Sequence, residues 1–192
     1  MKHALLAAAF AALGLAGQAN AGVINFDSQA FGSTATIGTF DALGVRFNQN
    51  LHISNGGSGD LPQSAPNAAI NADSFGGDIT GYFLGPVSSV NFISVFAGDQ
   101  GGDSDTVTLR GFDALNNLVA SASFTGLVAQ TLSISGAGMT RFEILQTGLI
   151  GIDDFTFTEE RGPAAAVPEP GSLALLGLGL AGALVARRRK QA

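Results

Sequence analysis

The chain has 192 residues, no cysteine and a formal net charge of −6. Between positions 22 and 162, 14 acidic residues face four arginines and no lysine, so this stretch carries a net charge of −10. Such a surface repels phosphate, which excludes a nucleic-acid partner. The stretch contains no cysteine and one histidine, His52, which excludes disulfides and a zinc site built from several His or Cys ligands.

The first 21 residues have the order of a secretory signal peptide. A short basic region precedes an apolar run, and Ala19 and Ala21 form an Ala-x-Ala cleavage site. We therefore expect the secretion translocon to export the chain and signal peptidase to cleave it before Gly22.

Residues 22–158 are predicted to form one all-β domain, an antiparallel β-sandwich. Apolar and polar residues alternate in short runs typical of half-buried strands, and no window keeps a helical period. The apolar positions of these runs are Val45, Phe47, Leu51, Ile53, Val90, Phe92, Phe96, Val107, Leu109, Ala120, Ala122, Phe124, Leu132, Ile134, Phe142, Ile144, Phe155 and Phe157. Several short strands with turns between them favour a sandwich.

Two segments of this domain are expected to lack long strands. Residues 55–81 are rich in Gly, Asn, Ser and Pro, which predicts a long loop with at most one short irregular strand. Residues 113–117 are predicted to form a hairpin turn, because Asn116 and Asn117 tolerate positive φ. Residues 159–167 are interpreted as a linker.

The C-terminal segment combines a Pro-rich motif, an apolar run and a basic cluster. The motif is Val167, Pro168, Glu169 and Pro170; residues 171–186 carry no charge; Arg187, Arg188, Arg189 and Lys190 follow. As a helix, the apolar run would measure about 24 Å, slightly less than a bilayer core of about 30 Å. The cations would hold its end in the cytoplasm, and the prolines would mark its outer boundary.

This order resembles the PEP-CTERM sorting tail of exported Gram-negative bacterial proteins. The resemblance implies a sorting tail at 168–190 that contains a transmembrane helix at 171–186. It also implies that the membrane protease exosortase recognises and removes this tail. The chain is then expected to be anchored transiently in the inner membrane and to reach the cell surface or extracellular matrix.

A second resemblance concerns the domain ahead of the tail. Residues 24–27, 87–96, 103–109 and 151–157 look like the ectodomains common ahead of PEP-CTERM tails. Those ectodomains are similar to jelly-roll folds of the galactose-binding and carbohydrate-binding-module kind. Such modules often hold a structural calcium between the first and last strands, and Asp27, with Asp153 or Asp154, matches that placement.

The residues themselves leave two interpretations of Asp153. It shares the parity of Phe155 and Phe157, so we expect it on the core side of the last strand, where a lone carboxylate requires a partner or a cation. The alternative is that Asp153 caps a bulge through backbone N–H groups.

A second acidic loop contains Asp99, Asp103 and Asp105 around two glycines. An Asp-x-Asp pair with glycines can wrap calcium, and a solvated turn is the alternative.

The side chains argue against an enzyme. His52 has no serine-elbow motif nearby, and no pair of carboxylates stands out as a general acid and base. Tyr82 and Phe83 form the only notable aromatic pair. The sequence thus predicts a non-enzymatic protein with a structural or adhesion role. Stabilisation of its domain by calcium is part of this hypothesis. The alternative is a carbohydrate-binding module for exopolysaccharide; a hydrolase or an ice-binding protein with ordered threonines has less support.

Overall fold

The computed structural model describes residues 21–55, 62–99 and 103–160. Within these ranges the protein consists of two antiparallel sheets, so the prediction of an all-β sandwich is confirmed. The strands of the first sheet are β1 (Ala21–Ile24), β2 (Thr34–Ala35), β4 (Leu51–Ser54), β5 (Ala68–Asn71), β7 (Val90–Asp99), β10 (Gln130–Met139) and β12 (Ile150–Glu159). Those of the second are β3 (Val45–Phe47), β6 (Ile79–Phe83), β8 (Asp105–Phe112), β9 (Leu118–Gly126) and β11 (Arg141–Gln146). Short 3₁₀ helices lie at Asp41–Leu43 and Gly85–Val87.

Strand β12 is the central strand of the first sheet, whose order is β10-β7-β12-β5-β4-β2. It pairs with β7 along one edge. On its other edge, its first half pairs with β5, where Ile152 faces Ala69, and its second half pairs with β1, where Ile24 faces Phe155. The second sheet has the order β3-β6-β11-β8-β9.

Phenylalanine rings from both sheets form the centre of the core. Phe142 of the second sheet lies against Phe155 of the first, with ring centroids 4.6 Å apart. Phe47 contacts both rings edge-on, at 5.6 Å and 5.8 Å. Because large aromatic side chains bury much apolar area and favour tilted or edge-on pairs, this cluster joins the two sheets.

The predicted hairpin at 113–117 is confirmed. Asn116 adopts a φ of 68° between β8 and β9. The Asp113 carboxylate accepts hydrogen bonds from the Leu115 and Asn117 backbone N–H groups, at 2.9 Å and 2.8 Å. The Asn117 side chain also donates to this carboxylate, at 2.9 Å, and is the largest cause of the lowered pKa of Asp113; the two backbone bonds add to it.

Two predictions about strands are wrong. Residues 55–81 were predicted as a long loop with at most one short irregular strand, but they contain two strands, β5 and the start of β6, and all four residues of β5 are buried. In β7 the predicted inward face included Phe92 and Phe96, but the core receives Ile93, Val95 and Ala97. The pairing of β7 with its neighbours shifts near Val90, so the side chains after the shift have the opposite parity.

The domain also extends past its predicted end. Strand β12 includes Glu159, and the Glu160 N–H donates to the Ser89 carbonyl at 3.0 Å. At the other end, β1 begins at Ala21, which faces Thr158. The last residue of the predicted signal peptide therefore pairs with the last strand in this structure.

Candidate functional site

A bulge in β12 places two neighbouring aspartates, Asp153 and Asp154, in the first sheet. The pairing with β7 shifts between Asp153 and Thr156, and Asp154 adopts a φ of 44°. Aspartate is one of the few non-glycine residues that enter this region. The Asp153 carboxylate accepts a 2.7 Å hydrogen bond from the Asp154 N–H, which fixes the bulge locally.

Asp153 is buried, as predicted, but it does not face the core. It lies opposite Phe96, and directly opposed residues of an antiparallel pair point to the same side of the sheet. Phe96 packs with Ala68 and Ala129 in a small outer cluster, whereas Ile152 and Phe155 belong to the main core. The parity argument from the phenylalanines failed because the bulge at Asp154 reverses the alternation.

The segment that covers Asp153 on this outer face contains Ser64. The Ser64 N–H donates to Asp153 Oδ2 at 2.8 Å. The Ser64 hydroxyl lies 3.2 Å from Asp153 Oδ2 and 3.0 Å from Asp154 Oδ1, so both carboxylates compete for one proton. The interpretation of Asp153 as an acceptor for backbone N–H groups at a bulge therefore describes its observed contacts.

Asp27 contacts the same segment at Asn67, three residues after Ser64. Its Oδ1 accepts from the Asn67 N–H at 3.1 Å, and its Oδ2 accepts from the Asn25 side chain at 2.9 Å. The Asn67 side-chain nitrogen donates to the Gln29 carbonyl at 2.8 Å, while its Oδ1 is buried without a hydrogen-bond partner among the described residues. The three aspartates predicted from the sequence thus act on one segment, residues 64–67.

Burial raises the pKa of Asp153 to about 6. The loss of water around the carboxylate is the largest cause, and the negative charge of Asp154 adds to it. The hydrogen bonds from Ser64 and from the Asp154 N–H act in the opposite direction without cancelling the effect. The Asp153 carboxyl therefore stays protonated to a higher pH than an exposed aspartate does.

The described residues do not present a ready-made calcium site. No group of three or more His, Cys, Asp or Glu side chains within them is placed to hold a metal ion. The oxygens of Asp153 already accept from N–H donors, whereas calcium requires six to eight oxygen ligands. Calcium binding at Asp27, Asp153 and Asp154 stays a prediction from the resemblance.

The second acidic loop is divided by residues outside the described ranges. Asp103 is exposed, and Asp105, at the start of β8, is buried at 4% exposure. Asp99 ends β7, and the intervening residues 100–102 are not described. Calcium binding by Asp99, Asp103 and Asp105 therefore stays a prediction, since the residues that join Asp99 to Asp103 lie outside the described ranges.

His52 and the threonines have structural surroundings. The His52 ring lies 6.0 Å from the Phe75 ring, between centroids, and the residue sits in β4 opposite Ile70. The Thr106 and Thr125 hydroxyls hydrogen-bond each other at 2.7 Å across β8 and β9. That contact uses hydroxyl groups that an ice-binding array would present to water.

The outer face of the second sheet carries a row of alternating cationic and aromatic side chains, which sequence reasoning missed. The pairing places Arg46 opposite Tyr82, Tyr82 opposite Arg141, and Arg141 opposite Phe112. The neighbouring row contains Thr80, Glu143, Arg110 and Ser121 in the same way. Each arginine alternates with core residues in the sequence, and that signal could have placed each one on an outer face of a sheet.

Ion pairs and ring contacts hold two of these arginines. Arg46 pairs with Asp41, and its Nη1 donates to the Tyr82 hydroxyl at 3.3 Å. The hydrogen bond from Arg46 lowers the pKa of Asp41. Arg141 pairs with Glu143 at 2.7 Å, and its guanidinium carbon lies 3.7 Å from the centre of the Phe112 ring. These contacts orient the guanidinium groups in advance of any ligand.

The predicted processing residues lie almost entirely outside the described ranges. This holds for the sorting motif at Val167–Pro170, the cations Arg187–Lys190, the helix at 171–186 and the signal peptide before Ala21. Among the described residues, no helix has the length and apolar character needed to cross a membrane.

A comparison with family models settles the nature of the C-terminal segment. Residues 166–190 are a PEP-CTERM protein-sorting motif. This motif implies export, a membrane-anchored sorting tail and processing by exosortase. No curated protein matches the chain.

Several solved structures are distantly similar to the domain ahead of the PEP-CTERM motif. A DUF4465 family protein from Bacteroides caccae has 11% identity and a TM-score of 0.47, over 73% of this chain and all of that one. CsCBM6-3 from Clostridium stercorarium, solved with cellobiose, has 12% identity and a TM-score of 0.35, over 71% of this chain and 94% of that one. The MgGH51 α-L-arabinofuranosidase has 12% identity and a TM-score of 0.44; 71% of this chain matches, and it spans 26% of that enzyme. At this level of similarity, none of them informs what this chain binds.

Proposed function

We propose that this chain is an exported protein which the PEP-CTERM motif holds in the inner membrane until exosortase releases it. It then acts as a non-enzymatic structural or adhesion protein at the cell surface or in the extracellular matrix of a Gram-negative bacterium. The match of residues 166–190 to the sorting motif carries the export and processing part of this proposal. The secretory pattern of residues 1–21 supports the same route.

The contacts of the acidic side chains support a non-enzymatic role. Glu143 pairs with Arg141, and Asp153 accepts from Ser64 and Asp154. A general acid or base must be able to reach a substrate proton. These carboxylates are committed to contacts within the domain. A broad glycosidase and esterase screen of the processed protein should show no turnover, and any turnover above that of buffer would contradict this part of the proposal.

The sorting step is tested by replacing Pro168, Glu169 and Pro170 with alanine. Export should continue, because the signal peptide is unchanged, but the tail should stay attached, because the extended motif at the membrane boundary is lost. Mass spectrometry of the wild-type surface protein should find no Arg187–Lys190 terminus, whereas the variant should retain it. Pro163→Ala, which lies outside the 166–190 motif, is the control and should be processed normally. An intact terminus on exported wild-type protein contradicts the proposal.

A further inference from the structure

The distribution of positive charge in the domain is strongly uneven. Three of the four arginines between positions 22 and 162 lie on the outer face of the second sheet, although that stretch carries a net charge of −10. These three are Arg46, Arg110 and Arg141. Arg141 and Arg110 lie on the neighbouring strands β11 and β8, and Arg46 lies on β3, which β6 separates from β11. Arg46 and Arg141 share one cross-strand row with Tyr82 and Phe112, and Arg110 lies in the next row.

The face has more cations than anions. Asp41 and Glu143 pair with Arg46 and Arg141, respectively. Arg110 lies opposite Glu143 and Ser121, yet its side chain forms no ion pair or hydrogen bond with any residue that the structure describes. Charges farther away than about 8 Å are largely screened at physiological ionic strength. The local excess at Arg110 therefore affects a ligand on this face more than the acidic remainder of the domain does.

The remaining groups suit a sugar polymer. Tyr82 and the Arg141 guanidinium stacked on Phe112 provide flat surfaces. Each guanidinium carries five N–H donors, so Arg46 and Arg141 retain donors beyond those that bind Asp41, Tyr82, Glu143 and Asn116. The row from β3 to β8 crosses three strand spacings, about 14 Å at 4.8 Å each. This length fits an extended chain better than a single ring. A nucleic acid would require several unpaired cations for its phosphates, and this face has one among its described residues.

We propose that the outer face of the second sheet binds an extended polysaccharide that carries carboxylate groups, with Arg110 contacting a carboxylate. Tyr82 and the Arg141–Phe112 stack contact neighbouring sugar rings. This inference rests on the proposed function, because delivery to the surface or matrix brings the face to such polymers. It identifies the kind of partner that an adhesion role requires.

The experiment uses the full chain in detergent and measures its affinity for polygalacturonate. The fully methyl-esterified polymer is the ligand control, since it keeps the sugar backbone and removes the negative charge. Wild-type protein should bind polygalacturonate at least about tenfold more tightly than the ester, as expected for one charge-assisted contact. Single-stranded DNA at the same salt concentration should bind more weakly than polygalacturonate.

Variants then assign the contact to Arg110. Arg110→Gln should weaken binding of polygalacturonate about tenfold, and Arg110→Lys should give a smaller loss, because it keeps the charge without the planar fork. Ser133→Asp, at an exposed position of the other sheet, lowers the net charge by the same amount and should leave binding unchanged. Thermal unfolding of each variant checks that it is folded.

Several results would overturn the inference. One is a wild-type protein that fails to bind polygalacturonate, binds the ester as tightly as polygalacturonate, or binds DNA more tightly than polygalacturonate. Another is an equal weakening of polygalacturonate binding by Arg110→Gln and Ser133→Asp. Sorting has a separate readout: mass spectrometry shows whether the tail is removed from the Arg110→Gln protein, whatever that protein binds. An Arg110→Gln protein that is processed normally and still binds polygalacturonate like wild type contradicts the inference alone.

Discussion

On the outer face of the first sheet, a segment containing Ser64 covers Asp153, and burial raises the pKa of that carboxyl to about 6. On the outer face of the second sheet, Asp41 is partly exposed, and its hydrogen bond with Arg46 lowers its pKa. The same residue type thus has opposite electrostatic surroundings on the two faces. The first face uses carboxylates to fasten a segment of the domain to itself. The second uses them to orient cations that stay accessible to a partner.

The largest effect is expected from Asp153→Ala. The change leaves the Ser64 and Asp154 N–H groups without their acceptor in a buried place, which should lower the free energy of unfolding by about 3–4 kcal/mol. Denaturant unfolding of the processed protein at pH 5 measures this. Asp154→Asn is the control, because asparagine tolerates positive φ and keeps an acceptor oxygen, so its loss should stay below about 1 kcal/mol. Equal losses for the two variants would contradict the role of Asp153 as the main acceptor.

A pH dependence should follow from the raised pKa of Asp153. The folded state holds this proton up to about pH 6, and the unfolded state releases it near pH 3.8. The contribution of Asp153 to stability is therefore fully present below about pH 3.8 and falls as pH rises through about pH 6. The fall should amount to about 2–3 kcal/mol. The measurement is the difference in unfolding free energy between wild type and Asp153→Asn from pH 4 to pH 7. Taking the difference cancels the contributions of titrating groups that both proteins share. A difference that is flat over this range, or that rises with pH, would refute the assignment.

Both faces also show where sequence reasoning stopped. The strands around Phe47, Leu109, Ile144 and Phe155 were predictable, since half-buried antiparallel strands alternate with a period of two. Strand β5 was not, because all four of its residues are buried and therefore show no alternation.

The sites were less predictable than the strands. The burial of Asp153 followed from its sequence position, but its face did not, because a positive φ at Asp154 has no sequence signal comparable to a glycine. The arginine row depends on pairing between strands that are distant in sequence. Alternation placed each arginine on an outer face, but only the strand order places Arg46, Arg110 and Arg141 together.

The second face should contribute little to stability. Arg141→Ala removes a partly exposed ion pair with Glu143 and the contact with Phe112, and we expect a loss below about 1 kcal/mol. Denaturant unfolding under the conditions used for Asp153→Ala allows direct comparison. Glu143→Gln is the control for the ion pair, since it keeps the shape and removes the charge. A loss for Arg141→Ala as large as that for Asp153→Ala would mean that this face is part of the structural framework rather than a surface available to a partner.

The smallest effect is expected from calcium, and the experiment sharpens the account of the first face. Asp153 accepts from N–H donors, and Asp27 accepts from the Asn67 N–H, so hydrogen bonds already fasten the segment at 64–67. If these hydrogen bonds are the whole site, thermal unfolding midpoints in calcium and in excess chelator will agree within about one degree. A cation bound to the folded state alone would stabilise it by about 2.7 kcal/mol at a hundred times its dissociation constant, which would raise the midpoint by several degrees. Such a rise, present in wild type and absent in Asp153→Asn, would show that Asp153 is a metal ligand and that the contacts of residues 64–67 are only part of the site.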